Sequence, residues 1–225
     1  MTAPTNYANL ITSIGEYLHR TDVAGVAPEW ITDAETIMNY GDGDTIDGLR
    51  TAAQETITTL TCTPGTQTVA LPSDYLDMRK LYMNFGGTRI ELIQAPTLPM
   101  SIDERSNILA PPWGFIVVGL NLYLLPIPDS NYTLVLDYYA KIGPLATSST
   151  NWLLTMVPDI YRSGAILAGA AWLGPSFDPM PWFRRFKAAM GMVAAQDSDR
   201  LRGLTTLRTD VPNTRRSTSN ILMGY

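Results

Sequence analysis

The sequence predicts an α+β protein: a four-helix bundle formed by N- and C-terminal helix pairs, with an inserted antiparallel β-domain and an extended C-terminal arm. Three observations carry this. Apolar residues recur at helical spacing at both ends of the chain. The middle is built of short threonine-, valine- and tyrosine-rich runs separated by Gly, Pro and Asn, as strands and turns are. The final stretch is polar and has no helical period. Terminal helices can bury their apolar stripes only against each other or against a partner, hence the bundle. The expected divisions are residues 1–49 (helices), 50–143 (β-domain), 144–203 (helices) and 204–225 (arm).

Tyr7, Leu10, Ile11, Ile14 and Leu18 fall at i, i+3, i+4, i+7 and i+11. That predicts an amphipathic helix from about Asn6 to His19, capped by Thr5 or Asn6. A second helix is expected from Pro28, presenting Trp30, Ile31, Ala34, Ile37 and Met38, and ended by Gly41-Asp42-Gly43-Asp44. Thr56–Thr61 and Thr66–Leu71 flank Thr63-Pro64-Gly65 and read as a hairpin. Asp77–Met83 is a further strand, and Gly86-Gly87 turns it into Arg89–Ile93. A loop with Pro96 and Pro99 follows, with a short helical turn expected near Met100–Glu104. Gly114–Val118, Asn121–Leu125 and Thr133–Tyr139 are three more strands, so close together that antiparallel pairing in a small sandwich or barrel-like sheet is expected.

Pro144–Thr150 reads as a polar loop. From Pro158 the period is helical, with Ile160, Gly164, Leu167, Ala168 and Ala171 on one face and Gly174-Pro175 as the stop. Ser163, Gly164, Ala165, Ala168, Gly169, Ala170 and Ala171 crowd this helix with small side chains, which let a neighbouring helix come close. Phe183, Phe186, Met190 and Val193 predict a last helix to about Leu201, ended by Gly203. The tail cannot bury enough apolar surface to fold alone, yet it ends in the apolar Ile221-Leu222-Met223-Gly224-Tyr225. A polar arm with an apolar tip is suited to docking on a partner.

Composition narrows the function classes. The chain has 225 residues, 45% hydrophobic and only 16% charged. Its apolar runs fall far short of a membrane span, and the N-terminus lacks the basic-then-apolar pattern of a secretory signal. One cysteine, Cys62, allows no internal disulfide, which fits synthesis in a reducing cytoplasm. The net charge is −5, unevenly placed: eight of the 16 basic residues but three of the 21 acidic ones lie from Arg184 onward. Residues 1–183 therefore hold 8 basic against 18 acidic. A basic C-terminal segment points to an acidic surface, or to nucleic acid, although Lys and Arg are sparse there for phosphate binding.

No catalytic, cofactor-binding or metal site is expected. A single histidine, His19, excludes a His-based triad within one chain and any multi-histidine metal site. Asp42-Gly43-Asp44-Thr45-Ile46-Asp47 matches a fragment of a calcium loop, but the twelfth position counted from Asp42 is Ala53 rather than glutamate. The glycines there lack the lysine of a phosphate loop.

Three segments carry a resemblance. They are Val69-Ala70-Leu71-Pro72-Ser73-Asp74-Tyr75-Leu76, Gly119 to Pro128 (GLNLYLLPIP), and Asp137-Tyr138-Tyr139-Ala140-Lys141 followed by Asn151-Trp152-Leu153-Leu154-Thr155 and Pro158-Asp159-Ile160-Tyr161. In order and spacing they resemble the head-to-tail adaptor (connector) proteins of tailed bacteriophages, over roughly Asn6 to Arg202. The resemblance implies a structural virion protein at the head–tail junction, made in the host cytoplasm. It would form a ring, a dodecamer, that joins the portal to the tail and continues the DNA channel. Implied partners are the portal protein, tail nozzle or tail-tube and fibre proteins, and other copies of the chain. DNA would be passing cargo only, and no membrane is involved. The arm would dock on the portal through Arg208, Arg215, Arg216, Ile221, Leu222 and Tyr225.

The alternative from another class is a carbohydrate- or ligand-binding module of a phage particle. Tyr75, Tyr82, Trp113, Tyr123, Tyr138 and Tyr139 would supply the binding face of its β-domain.

Overall fold

The computed structural model describes residues 3–95 and 108–209, with side chains as far as residue 196. Among the described residues it has seven α-helices and eight strands. The helices are α1 (Tyr7–Leu18), α2 (Ala27–Tyr40), α3 (Leu145–Ser148), α4 (Trp152–Met156), α5 (Pro158–Ala168), α6 (Ala170–Leu173) and α7 (Met180–Thr209). The strands are β1 (Glu55–Cys62), β2 (Thr68–Ala70), β3 (Tyr75–Phe85), β4 (Thr88–Glu91), β5 (Ile93–Gln94), β6 (Gly114–Val118), β7 (Asn121–Leu125) and β8 (Tyr132–Ala140). The helical turn expected near residues 100–104 lies outside the described residues.

The four-helix bundle with an inserted antiparallel β-domain is not what forms. The helices instead pack around α5, which is contacted by α1, α2, α4 and α7. The apolar cluster there is not a helix-bundle core. It takes in Ile46, Leu49, Ile142, Leu145 and Val157 from connecting segments as well as Leu10, Ile31, Met38, Ile166 and Phe186 from the helices. The physical reason lies between Pro144 and Leu173. The expected loop and single long helix become four short helices, so no helix from this stretch is long enough to form a bundle seam. Asn151 caps α4 by accepting from the Leu154 amide, a signal that the polar composition of the segment concealed.

Only glycine fits at the junction of α5 and α6. Gly169 sits against the indole of Trp30, and a β-carbon there would lie 2.5 Å from the ring. At Gly164 a β-carbon would lie 2.9 Å from Phe186 and 3.1 Å from Ala34. The small side chains of α5 thus let α2 and α7 approach closely. Helix α7 does not end at Gly203; it runs on to Thr209. One glycine in a helix interior costs only about 1 kcal/mol, and the leucines and arginines around it are good helix formers.

The strands form two four-stranded sheets, ordered β1-β8-β3-β4 and β2-β7-β6-β5. The expected hairpin of β1 with β2 does not pair. β1 lies antiparallel to β8 and β2 antiparallel to β7; the chain crosses between sheets at the turn where the Gly65 amide bonds to Pro128 O. The second sheet is not purely antiparallel, since β5 runs parallel to β6. Between the sheets lies a second apolar cluster, including Leu81, Met83, Leu122, Leu124, Leu134 and Leu136. Alternation places these residues inward, with Tyr82 and Asp137 on the outer face of the first sheet.

Two glycine substitutions are expected to act with opposite sign. Gly169→Ala overpacks Trp30 and should destabilise by about 1–3 kcal/mol. Gly191→Ala, in α7 with open space around its α-carbon, should stabilise by about 0.5–1 kcal/mol. Chemical unfolding of both variants measures this, and Gly169→Ala as stable as the parent chain would contradict the packing described.

Candidate interaction surface

The chain leaving β8 is fastened to α2 by buried polar side chains. The Ile142 amide donates to Asn39 Oδ1 (2.9 Å) and the Leu145 amide to Glu35 Oε1 (2.8 Å). Both acceptors are buried and one turn apart on α2. Burial pushes the Glu35 carboxyl above its ordinary range, and the Leu145 hydrogen bond pulls it only partly back. From the other side, Arg50 donates to Asn39 O (2.9 Å) and reaches Asp77 on β3 (3.5 Å), while Gln54 reaches Ala140 O. Helical region and sheets are therefore joined by hydrogen bonds as well as by chain.

The segments that carry the family resemblance meet one another in space. Tyr138 OH donates to Asp74 Oδ1 (3.0 Å), the Lys141 amide donates to Asp74 O (2.7 Å), and Tyr75 stacks on Tyr138 at 5.9 Å. Burial, then this bond to Asp74, pushes the Tyr138 hydroxyl up to about 12. The Leu71 amide donates to Leu120 O (2.9 Å). Asn151 Nδ2 bonds to Gly143 O (2.8 Å) and Tyr161 O–H (2.6 Å). Each motif residue named here holds one part of the fold to another.

The model of the SU10 adaptor protein family matches residues 5–214. The chain belongs to that family. It is a family of phage head-tail adaptors, the one the three segments resemble, and it makes the chain a structural adaptor of the virion. No curated protein matches the chain. No described helix is long and apolar enough to cross a membrane.

The expected arm residues are not brought together. Arg208 lies in the last turn of α7. Arg215, Arg216, Ile221, Leu222 and Tyr225 lie outside the described residues. The aromatics of the alternative binding face are dispersed. Tyr75 and Tyr138 pack with the apolar cluster between the sheets. Tyr82 and Tyr139 lie under cations, Tyr139 beneath Arg79 (5.5 Å) and Tyr82 beneath Arg89 (5.5 Å). Trp113 immediately precedes β6 of the other sheet and is 59% exposed. Tyr123 lies on β7 of that second sheet, so the six residues are divided between the two sheets.

In the acidic turn, Asp42 accepts from the amides of Asp44, Thr45 and Ile46 and from the Thr45 hydroxyl, which together hold its carboxyl well below the usual range. Its oxygens serve the turn itself. Cys62 is buried, and burial pushes its thiol up, away from nucleophilic use.

Two surface features were not singled out in the sequence. One is an exposed apolar pair, Ile93 and Trp113, brought together where the Ile93 amide bonds to Trp113 O. No period marks it, because pairing across chain-distant segments creates it. The other is the acidic outer face of α2, where Glu29 and Asp33 are exposed. Arg185 of α7 pairs with Asp159 in the first turn of α5, and the buried Arg162 lies over Tyr17 at 4.2 Å. Arg184 and Lys187, beside Arg185, stay exposed.

The Glu35 carboxyl gives a pH test. Its folded pKa is raised, so the folded state holds the proton more tightly than the unfolded one. Its contribution to stability is full below the unfolded value near 4.5 and is lost as pH rises through the folded value. Glu35→Gln keeps an acceptor for the Leu145 amide and removes the titration. Relative to the parent chain, the variant is expected to gain stability between pH 4 and pH 7, read by urea unfolding at the two values. A constant difference would contradict the raised pKa.

Proposed function

We propose that the chain assembles as a ring, a dodecamer, which joins the portal to the tail and continues the DNA channel. The observation that carries this is the family match over residues 5–214. Three features support it. Residues 1–183, with 8 basic and 18 acidic side chains, would give DNA a surface to pass without sticking. Helix α7 runs on past Val193, the last buried position among its described side chains, and so would carry the basic C-terminal segment outward. The tail beyond it is polar with an apolar end, the composition of an arm that gains its fold on a partner.

In this arrangement the tail beyond α7, residues 210–225, reaches the portal, with Ile221, Leu222 and Tyr225 as apolar anchors and Arg215 and Arg216, with Arg208 of the last helical turn, meeting acidic groups. The helical region builds the ring near the portal. The sheets face outward or tailward, where nozzle or tail-tube and fibre proteins attach.

Light scattering of the purified chain, alone and with the portal protein encoded beside it, tests the reading. The mass alone is expected near 24.8 kDa, rising to a ring complex with the portal. Removal of residues 210–225, which leaves α7 whole, is expected to abolish joining while leaving thermal unfolding unchanged. A chain that stays monomeric with the portal present would refute the proposal.

A further inference from the structure

Helices α2 and α7 both pack on α5 and turn their remaining faces to solvent. Those faces carry opposite charge. On α2, Glu29 and Asp33 are exposed one turn apart; on α7, Arg184 and Lys187 are exposed three residues apart. Among the described residues none of the four forms an ion pair, although Asp22, Asp77, Asp137, Asp159 and Glu91 all do. The nearest interaction of Lys187 is with the ring of Phe183, at 5.9 Å. The spacing of the two pairs along their axes is about 6 Å and about 4.5 Å, within the reach of Arg and Lys side chains.

The residues between these charges can be covered at little cost. Thr32 and Thr36 lie on the same face of α2, and their hydroxyls already bond to Pro28 O and Thr32 O, each at 3.0 Å. Covering that face leaves no hydroxyl unpaired. On α7, Ala188, Gly191 and Met192 lie beside the cations, all exposed. They present no polar side-chain atom, and a β-carbon at Gly191 would meet nothing within 4 Å.

We infer that the α7 face bearing Arg184 and Lys187 docks on the α2 face bearing Glu29 and Asp33 of a second copy of this chain. The two faces are different surfaces of one molecule, so the contact is head-to-tail, the kind that closes into a ring. The inference rests on the ring proposed above and names its subunit contact.

The test uses the full-length chain with the portal protein encoded beside it and reads assembly by native mass spectrometry. Two charge-reversal variants are compared, Glu29→Lys/Asp33→Lys and Arg184→Glu/Lys187→Glu. In the first both faces are positive, in the second both are negative. Each alone is expected to assemble about tenfold less well or worse, because like charges then meet across every contact. An equimolar mixture is expected to recover assembly by alternating the two, which also shows that both variants fold. Variants that assemble like the parent chain, or a mixture no better than its components, would overturn the contact and leave the ring standing. If the parent chain itself does not assemble with the portal, the ring fails and the contact falls with it.

Discussion

The helical region depends on how closely α2 and α7 can approach α5. Gly169 admits the indole of Trp30 and Gly164 admits Phe186 beside Ala34, each at a spacing that a methyl group would violate. These contacts bring three helices into one apolar cluster, in which Ile31, Ala34, Ile160, Ile166 and Phe186 are almost wholly buried. Full burial of a large apolar side chain contributes about 1.5–3 kcal/mol, so this cluster outweighs the surface ion pairs, typically worth 0–1 kcal/mol. Arg185–Asp159 and Arg20–Asp22 are therefore better understood as orienting helix ends than as sources of stability.

Dense packing alone would not position the sheets. That falls to Asn39 and Glu35, which hold the backbone as it leaves β8 and fix where the next segment re-enters the helical core. A buried amide left unpaired costs about 1–3 kcal/mol, and a carboxylate taken from water without full compensation costs more. Glu35 meets one cost by incurring part of the other, as its raised pKa records. Arg50 completes the joint from the sheet side, with Gly48 so close beneath Asn39 O that a β-carbon would lie 2.5 Å from it.

Periodic elements were legible in the sequence and their partners were not. Leu10 and Ile14 of α1, Trp30, Ala34 and Met38 of α2, and Phe186, Met190 and Val193 of α7 all fall on the buried faces that their spacing indicates. The small residues of α5 gave correct notice of close helix approach. Pairing was misjudged wherever it joins chain-distant segments: β1 finds β8 rather than β2, and β5 lies parallel to β6. The bundle was misjudged for a related reason. Helical period between Pro158 and Leu173 is continuous in the sequence, but the chain there is divided at Gly169, where the indole of Trp30, brought in from α2, leaves no room for a β-carbon. Local composition cannot report a contact that the rest of the chain supplies.

The same distinction separates the motifs from the working surface. Asp74, Tyr138, Asn151 and Tyr161 are residues through which the family resemblance is visible, and each is engaged in holding the fold. A fold-holding hydrogen bond constrains residue type strictly, because an unpaired buried partner is costly wherever it occurs. A docking face constrains charge and shape more loosely, since its partner can change along with it. Family motifs therefore identify the scaffold, and the contacts of this adaptor have to be sought among side chains the scaffold does not use. Glu29, Asp33, Arg184 and Lys187 are such residues: exposed, unpaired within the described chain, and opposite in sign on two helices fixed to one hub.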